Sequence, residues 1–174
     1  MPLETARLLV RHFTPEDSAA VYRLSREEGL RRFIPDQVYA DEAEATAVLA
    51  FLIAQYSDPT APRSGTYVQA VVLKESGELI GHVGLSPLEG EVEIGYAIAE
   101  ACQGQGYATE LVRETLRWAL EEQGLPCVLG VVDSENQGSI RVLERAGFAL
   151  AETRARSQGA PIRTYRATCA SRGP

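Results

Sequence analysis

The sequence is poor in cysteine and has no long apolar run. Its 174 residues include three cysteines, which are odd in number and far apart, so they predict neither a disulfide framework nor a metal site. A reduced, cytoplasmic setting is the simplest interpretation. No stretch approaches the roughly 20 apolar residues that cross a bilayer. The opening residues 1–7 lack the basic and apolar regions of a signal peptide, so we expect neither membrane association nor secretion.

Basic side chains are in the minority. The chain has 17 Lys and Arg against 24 Asp and Glu, which makes a formal net charge of −7. A duplex nucleic-acid binder needs a basic surface to neutralise phosphates, so this class is disfavoured. The acidic balance suits a cationic partner such as an amine, and it equally suits a surface that only keeps the protein in solution. The length fits one domain over residues 1–174.

Hydrophobic periodicity predicts an α/β fold in which helices pack on the faces of a mixed sheet. The predicted element order is β-α-α-β-β-β-α-β-α-β-β. The predicted strands are Arg7–Phe13, Tyr67–Lys74, Glu78–Leu85, Glu91–Ala99, Cys127–Val132, Phe148–Thr153 and Ile162–Cys169. The first predicted helix runs from Thr14 to about Glu28, the second begins at Asp41, the third spans residues 106–122, and the fourth spans Asn136–Ala146.

The segment 91–109 is the most informative one, because a strand runs into a glycine-containing loop that opens a long helix. Helix N-termini expose unpaired N–H groups and attract phosphate. Gly104 and Gly106 would let the backbone approach such an anion, since they have no side chain in the way. The loop Gln103–Thr109 is therefore a candidate pyrophosphate cradle, although two glycines before a helix are often structural.

Two familiar nucleotide-binding motifs do not fit this loop. A Walker loop needs Gly-Lys-Ser/Thr, and here Gly106 is followed by Tyr107 and Ala108. A Rossmann fingerprint needs a third glycine where Thr109 stands. A dinucleotide-binding oxidoreductase is accordingly disfavoured.

Several blocks of the sequence resemble the GNAT acetyltransferases. Gln103-x-x-Gly106-x-Ala108 is similar to the family signature Gln/Arg-x-x-Gly-x-Gly/Ala. Asn136-x-x-Ser139, followed by Gly147-Phe148, resembles the next block of that family. The opening Thr5–Asp17 and the segment Gly81–Gly84 resemble its RimJ/RimL-like branch, the ribosomal-protein N-terminal acetyltransferases and their relatives. The resemblance covers nearly the whole chain and implies the GNAT fold, a central, mostly antiparallel sheet flanked by helices.

The resemblance implies acetyl-coenzyme A as cosubstrate. No metal is expected, because His12 and His82 lie in strand-like runs without paired ligands. The same resemblance implies that backbone N–H groups of residues 104–109 bind the pyrophosphate and that the preceding strand pairs with the pantetheine arm. The coenzyme-binding residues expected in this way are Ala97, Ile98, Ala99, Gln103, Gly104, Gln105, Gly106, Tyr107, Ala108, Thr109, Asn136 and Ser139. For Asn136, a plain helix N-cap is the alternative.

The resemblance also points to two catalytic residues. Some family members carry a catalytic glutamate where Glu93 stands, and a carboxylate there would accept the proton of the amine directly or through water. Many carry a proton-donating tyrosine where this chain has Leu143, which removes the commonest assignment. Ser139 is the candidate replacement, as an acid or as a hydrogen-bond donor to the departing thiolate. The alternatives are a surface glutamate at Glu93 and a coenzyme contact or helix cap at Ser139.

The sequence therefore predicts an N-acetyltransferase that moves the acetyl group of acetyl-coenzyme A to a primary amine by direct attack in a ternary complex. A main-chain N–H near Ala97 is the candidate donor to the oxyanion. The acceptor is a protein N-terminus or a small-molecule amine, and its determinants are expected in residues 28–62 and 154–162. The alternative is a catalytically inactive, coenzyme A-binding module. A homodimer is common in the RimJ/RimL-like branch, and no residue here demands one.

Overall fold

One sheet of eight strands organises the molecule. The computed structural model describes residues 3–58 and 61–169. The strands are β1 (Leu3–Glu4), β2 (Leu8–Arg11), β3 (Tyr67–Leu73), β4 (Leu79–Leu88), β5 (Glu91–Ile98), β6 (Cys127–Asp133), β7 (Ala149–Arg154) and β8 (Ile162–Thr168). They lie in the order β1-β2-β3-β4-β5-β6-β8-β7, and every neighbouring pair is antiparallel except β5 and β6, which run parallel. The predicted mixed, mostly antiparallel sheet is confirmed.

Helices cover both faces of this sheet. They are α1 (Ser18–Ser25), α2 (Glu28–Phe33), α3 (Glu42–Gln55), α4 (Tyr107–Arg117), which continues as a π-helical stretch (Trp118–Glu122), and α5 (Gln137–Arg145). The larger core cluster joins α4 and α5 to the sheet face that carries Val83, Leu85 and Ile94. A smaller cluster joins α1 and α3 to Ala70 on the opposite face. Within the described ranges, no helix combines the length and the apolar character that crossing a membrane requires.

The N-terminal part differs from the prediction in two ways. The short strand β1 precedes β2, and the helix predicted from Thr14 to about Glu28 is a 3-10 turn (Pro15–Asp17) followed by α1, which is divided from an additional helix, α2. The division has a tertiary cause. Glu27 is extended, with ψ of 148°, and its carboxylate accepts a hydrogen bond of 2.9 Å from the Glu100 N–H, 73 residues away. The Gly29 N–H in turn donates to Glu100 Oε1 at 2.9 Å, so α2 lies beside the end of β5.

Two glycines on β4 permit close approach of the neighbouring strands. A Cβ at Gly81 would collide with the main-chain oxygen of Ala97 on β5. A Cβ at Gly84 would lie 2.6 Å from Val68 Cγ2 on β3. The segment Gly81–Gly84 therefore has a packing reason for its glycines, and Gly81 leaves room for the backbone of β5 where that strand borders the candidate site.

Candidate functional site

β5 and β6 diverge after a single point of pairing. Among the described residues, Glu93 and Leu129 form the one registered pair between these strands. Beyond that pair, β5 keeps its register with β4 as far as Ile98, and β6 keeps its register with β8 as far as Asp133. The edge of β5 that faces β6 is consequently free of strand pairing, and a cleft of about 340 Å³ opens there.

Four parts of the chain form the walls of this cleft. The lining residues are Gly29, Leu30, Phe33 and Ile34 in and after α2, Tyr96, Ala97 and Ile98 in β5, Glu100, Cys102, Gln103, Gly104, Gly106, Tyr107, Ala108 and Thr109 in the loop and first turn of α4, and Asn136, Gly138, Ser139, Arg141, Val142 and Arg145 in and before α5. The structure thus brings together every predicted coenzyme-binding residue except Ala99 and Gln105. The segment 28–62, expected to hold acceptor determinants, contributes α2.

Backbone groups of those two residues make hydrogen bonds within the chain. The Ala99 N–H donates to the Ile80 oxygen at 2.7 Å, and the Ala99 oxygen accepts from the Cys102 N–H at 2.8 Å. The main-chain oxygen of Gln105 accepts a hydrogen bond of 2.9 Å from Arg7. The Ala99 N–H is therefore engaged within the chain, whereas at Gln105 the engaged group is the oxygen and not the N–H predicted to bind pyrophosphate.

The loop before α4 has the conformation of an anion-binding turn. Gly104 and Gly106 have φ of 76° and 84°, the left-handed region that glycine adopts without strain. Gly106 is the N-cap of α4, and its oxygen accepts the first intrahelical bond, from Glu110. The N–H groups of Tyr107–Thr109 precede that bond, so they have no partner within the helix and carry its partial positive charge. Donors of this kind suit a phosphate oxygen.

Side chains from distant parts of the chain hold the loop in place. Arg7 forms an ion pair of 2.7 Å with Glu110 and lies over the Tyr107 ring, 4.3 Å from its centroid. Gln103 Nε2 donates to the Ile98 oxygen at 2.9 Å, which ties the loop to the end of β5. The sequence placed Arg7 only in a strand, and its local pattern carries no signal for this contact.

The α5 wall presents one hydroxyl group, that of Ser139, and two arginine cations. Asn136 caps α5 by accepting a hydrogen bond of 3.0 Å from the Ser139 N–H, so the helix-cap interpretation of Asn136 is realised within the cleft. The Tyr96 hydroxyl lies 2.8 Å from Ser139 Oγ. Arg141 and Arg145, one helical turn apart, also line the cleft. Sequence reasoning missed Tyr96 and both arginines, although two basic residues at i and i+4 on a helix bordering a candidate phosphate site were a usable signal.

The side chain of Glu93 lies on the face of β5 opposite to that of Tyr96, because side chains alternate along a strand. It is half-buried, and burial, with a smaller contribution from the nearby Asp36 carboxylate, raises the pKa of Glu93. Gly95 follows it on the same face and is exposed, although β5 is a central strand. Apart from Gly95 and its two chain neighbours, no heavy atom of residues 3–58 or 61–169 lies within 4 Å of the place where a Gly95 Cβ would stand. An open strip therefore leads along the sheet from Glu93 to Ala97.

Leu143 does not face the cleft. Its side chain is 2% exposed and packs in the core against Gly130, where a Cβ would stand 2.6 Å from Leu143 Cδ2. The cleft lining includes neither histidine. His12 Nε2 lies 2.9 Å from the Tyr67 hydroxyl. Burial lowers the pKa of His82 to about 4. In the described part of the chain, His, Cys, Asp and Glu side chains form no group of three that could hold a metal ion.

Comparison with known proteins agrees with this geometry. The family described as Acetyltransferase (GNAT) domain matches residues 7–149. The N-acetyltransferase YnaD of Bacillus subtilis is 29% identical over 150 residues, which cover 85% of this chain and 82% of that protein. A GNAT-family acetyltransferase from Bacillus anthracis superimposes with a TM-score of 0.83 at 22% identity, over 97% of this chain and 98% of that one. RimL, a ribosomal L7/L12 alpha-N-protein acetyltransferase in complex with coenzyme A, superimposes with a TM-score of 0.82 at 15% identity over the same shares.

Proposed function

Because the chain belongs to the GNAT acetyltransferase family, we propose that it transfers the acetyl group of acetyl-coenzyme A to a primary amine by direct attack in a ternary complex. Family membership makes the protein an acyltransferase enzyme. One observation carries the proposal: a helix N-terminus suited to pyrophosphate and an unpaired strand edge suited to an amide-containing arm meet in one cleft. The segment Thr5–Asp17 and the likeness to RimL support a RimJ/RimL-like enzyme, whose acceptor is a protein N-terminus or a small amine.

The residues of the cleft fit the coenzyme. The N–H groups of Tyr107–Thr109 would bind its pyrophosphate, and Arg141 and Arg145 add positive charge for its phosphates. The free edge of β5 from Tyr96 to Ile98 would pair with the pantetheine amides as an added strand. Asn136 and Ser139 reach the cleft from the opposite wall. When bound, the coenzyme supplies the acetyl group as a thioester.

The acceptor amine approaches over the open strip at Gly95. An amine with a pKa near ~10 must lose a proton before it attacks, and Glu93 is the base that accepts it. Glu93 and Ala97 are four residues apart, about 13 Å along the strand, so the proton passes through water. The raised pKa makes Glu93 a stronger base than an ordinary glutamate, and Asp36 attracts the cationic amine. A main-chain N–H near Ala97 donates to the oxygen that gains negative charge.

Two measurements test this proposal. Calorimetric titration should show binding of acetyl-coenzyme A and none of NAD, and an assay of thiol release should show turnover that depends on an added primary amine. Glu93→Gln should lower turnover about 100-fold or more with little change in acetyl-coenzyme A affinity, because it removes only the base. Glu75→Gln, at an exposed glutamate in the β3–β4 turn, is the matched control and should leave both quantities unchanged.

The outcomes separate the competing interpretations. Binding without thiol release for any amine would identify an inactive coenzyme-binding module. A folded protein that binds neither compound would refute the cofactor assignment. Wild-type turnover in Glu93→Gln would remove this residue from the mechanism and leave the cleft assignment intact.

A further inference from the structure

Tyr96 and Ser139 hold their hydroxyl groups against each other inside the cleft. Tyr96 lies on β5 and Ser139 in the first turn of α5, and their hydroxyl oxygens are 2.8 Å apart. The Tyr96 hydroxyl also lies 3.3 Å from the main-chain oxygen of Ser139, to which it can donate. Leu143, where many family members carry a tyrosine, is buried in the core. A tyrosine hydroxyl therefore reaches this cleft from β5 instead of from α5.

The number of protons decides what this pair of hydroxyls can do. Each hydroxyl has one proton to donate and lone pairs to accept. If Tyr96 donates to Ser139 Oγ, the serine keeps its own proton for an acceptor in the cleft. If the serine donates to Tyr96, the tyrosine turns its proton to the Ser139 main-chain oxygen, and neither proton is left for the cleft. A negatively charged sulfur in the cleft selects the first arrangement, because it attracts the serine proton.

We propose that Tyr96 is a positioning residue that directs the hydroxyl of Ser139 toward the sulfur that departs with the coenzyme; this inference rests on the proposed function. In that reaction the amine nitrogen forms a bond to the carbonyl carbon, and the carbon–sulfur bond breaks with both electrons on sulfur. The Ser139 hydroxyl donates a hydrogen bond to that sulfur. The proton lost by the amine passes to Glu93 and on to solvent, and solvent returns one proton to the sulfur.

The surroundings of the pair support this role. Burial, partly offset by the bond with Ser139, raises the pKa of Tyr96 to about 12, so its hydroxyl remains protonated through the neutral range. The bond that it donates polarises the serine hydroxyl and strengthens the bond that the serine makes in turn. Asn136 holds the first turn of α5 through the Ser139 N–H. The serine backbone is therefore fixed, and the orientation of its hydroxyl depends on Tyr96.

Tyr96→Phe tests the inference, because it removes one hydroxyl and keeps the ring that packs against the core. We expect kcat to fall about 3- to 10-fold, the effect of one neutral hydrogen bond, with the KM for acetyl-coenzyme A within about twofold. Tyr165→Phe is the matched control, since the hydroxyl of this buried tyrosine also bonds to α5, 3.2 Å from Glu144 Oε1 and away from the cleft lining. The control should keep the wild-type kcat. An unchanged kcat in Tyr96→Phe would overturn the inference.

A role through Ser139 predicts results that a merely structural role does not. Tyr96→Phe should add nothing to Ser139→Ala, so the double variant should match Ser139→Ala within about twofold. The deficit of Tyr96→Phe should also shrink with an acetyl thioester of a more acidic thiol, whose sulfur needs less stabilisation. If the losses of the two single variants multiply in the double variant, a role through Ser139 is contradicted. The same holds if the kcat deficit of Tyr96→Phe does not change with the acidity of the thiol.

A binding measurement provides a readout that is independent of turnover. Calorimetry compares coenzyme A with desulfo-coenzyme A, which lacks the sulfur, between about pH 7 and about pH 9, where thiols ionise. Coenzyme A affinity of the wild type should rise with pH as the thiolate forms. Tyr96→Phe should reduce this rise about 3- to 10-fold and leave desulfo-coenzyme A affinity unchanged. If the wild type is active and Tyr96→Phe matches it in kcat and in coenzyme A affinity, only this inference is refuted. If the wild type acetylates no amine, the proposed function is refuted.

Discussion

Replacing Gly106 with glutamate should strongly weaken coenzyme A binding, and the size of the effect follows from the repulsion between two charges. Gly106 is the N-cap of α4, immediately before the N–H groups of Tyr107–Thr109. A carboxylate there lies next to the donors on which a pyrophosphate would bind. At a separation of about 5 Å and an effective dielectric constant of about 20, two unit charges repel by about 3 kcal/mol. Binding should therefore weaken about 100-fold or more.

The backbone contributes a second, smaller effect. A residue with a side chain in the left-handed conformation costs about 1–2 kcal/mol of stability. At Gly106, φ is 84°, and a new Cβ would lie 3.5 Å from Arg7 Nη2. Gly106→Ala carries this strain without the charge. Gly90→Glu carries both the charge and a left-handed φ, of 87°, in the turn between β4 and β5. Gly106→Ala isolates the effect of strain at the loop, and Gly90→Glu isolates the effect of added charge and strain at another turn. What remains in Gly106→Glu is the effect of charge at the loop.

Calorimetric titration with coenzyme A at low and high salt is the assay. Gly90→Glu should bind like the wild type, Gly106→Ala slightly more weakly, and Gly106→Glu far more weakly. The deficit of Gly106→Glu should shrink at high salt, because the screening length falls from about 10 Å at 0.1 M to about 3 Å at 1 M. Thermal melts verify that each variant is folded. If Gly106→Glu binds within about threefold of Gly106→Ala, phosphate does not lie at the N-terminus of α4 and the loop assignment fails.

Two further predictions concern the opposite face of β5. Gly95→Val should lower amine acetylation about 10-fold or more by filling the open strip. Coenzyme A affinity and thermal stability should be preserved, because a Cβ there meets no described heavy atom beyond its chain neighbours. Turnover equal to that of the wild type would show that the amine takes another route. The raised pKa of Glu93 predicts an acidic limb in kcat/KM that rises with pH and disappears in Glu93→Gln. Since burial favours its protonated form, the wild type should lose stability relative to Glu93→Gln as pH rises from the unfolded through the folded pKa of this carboxyl, which thermal melts at acidic and neutral pH can check.

Local signals in the sequence determined a large part of the fold. A cap, a glycine with positive φ or an amphipathic period is set within a few residues, so each can be recognised without knowledge of the rest of the chain. The second predicted helix begins at Asp41, and the Asp41 carboxylate caps α3 by accepting a hydrogen bond of 2.9 Å from the Glu44 N–H. The helix predicted over 106–122 corresponds to α4 and its π-helical extension. The glycines at 104 and 106, predicted to shape a cradle, adopt the left-handed conformation that a compact turn requires.

Only the tertiary structure decided which distant groups meet at the cleft. Tyr96 and Ser139 are 43 residues apart, and neither local pattern indicates that their hydroxyls touch. Arg7 reaches the loop 98 residues later. The divergence of β5 from β6, the turn of Leu143 into the core and the break between α1 and α2 depend on register and packing across the whole sheet. Register and packing are set by the burial of both sheet faces at once, which no short segment encodes. The sequence therefore indicated the candidate binding loop, and the structure determined which groups face it.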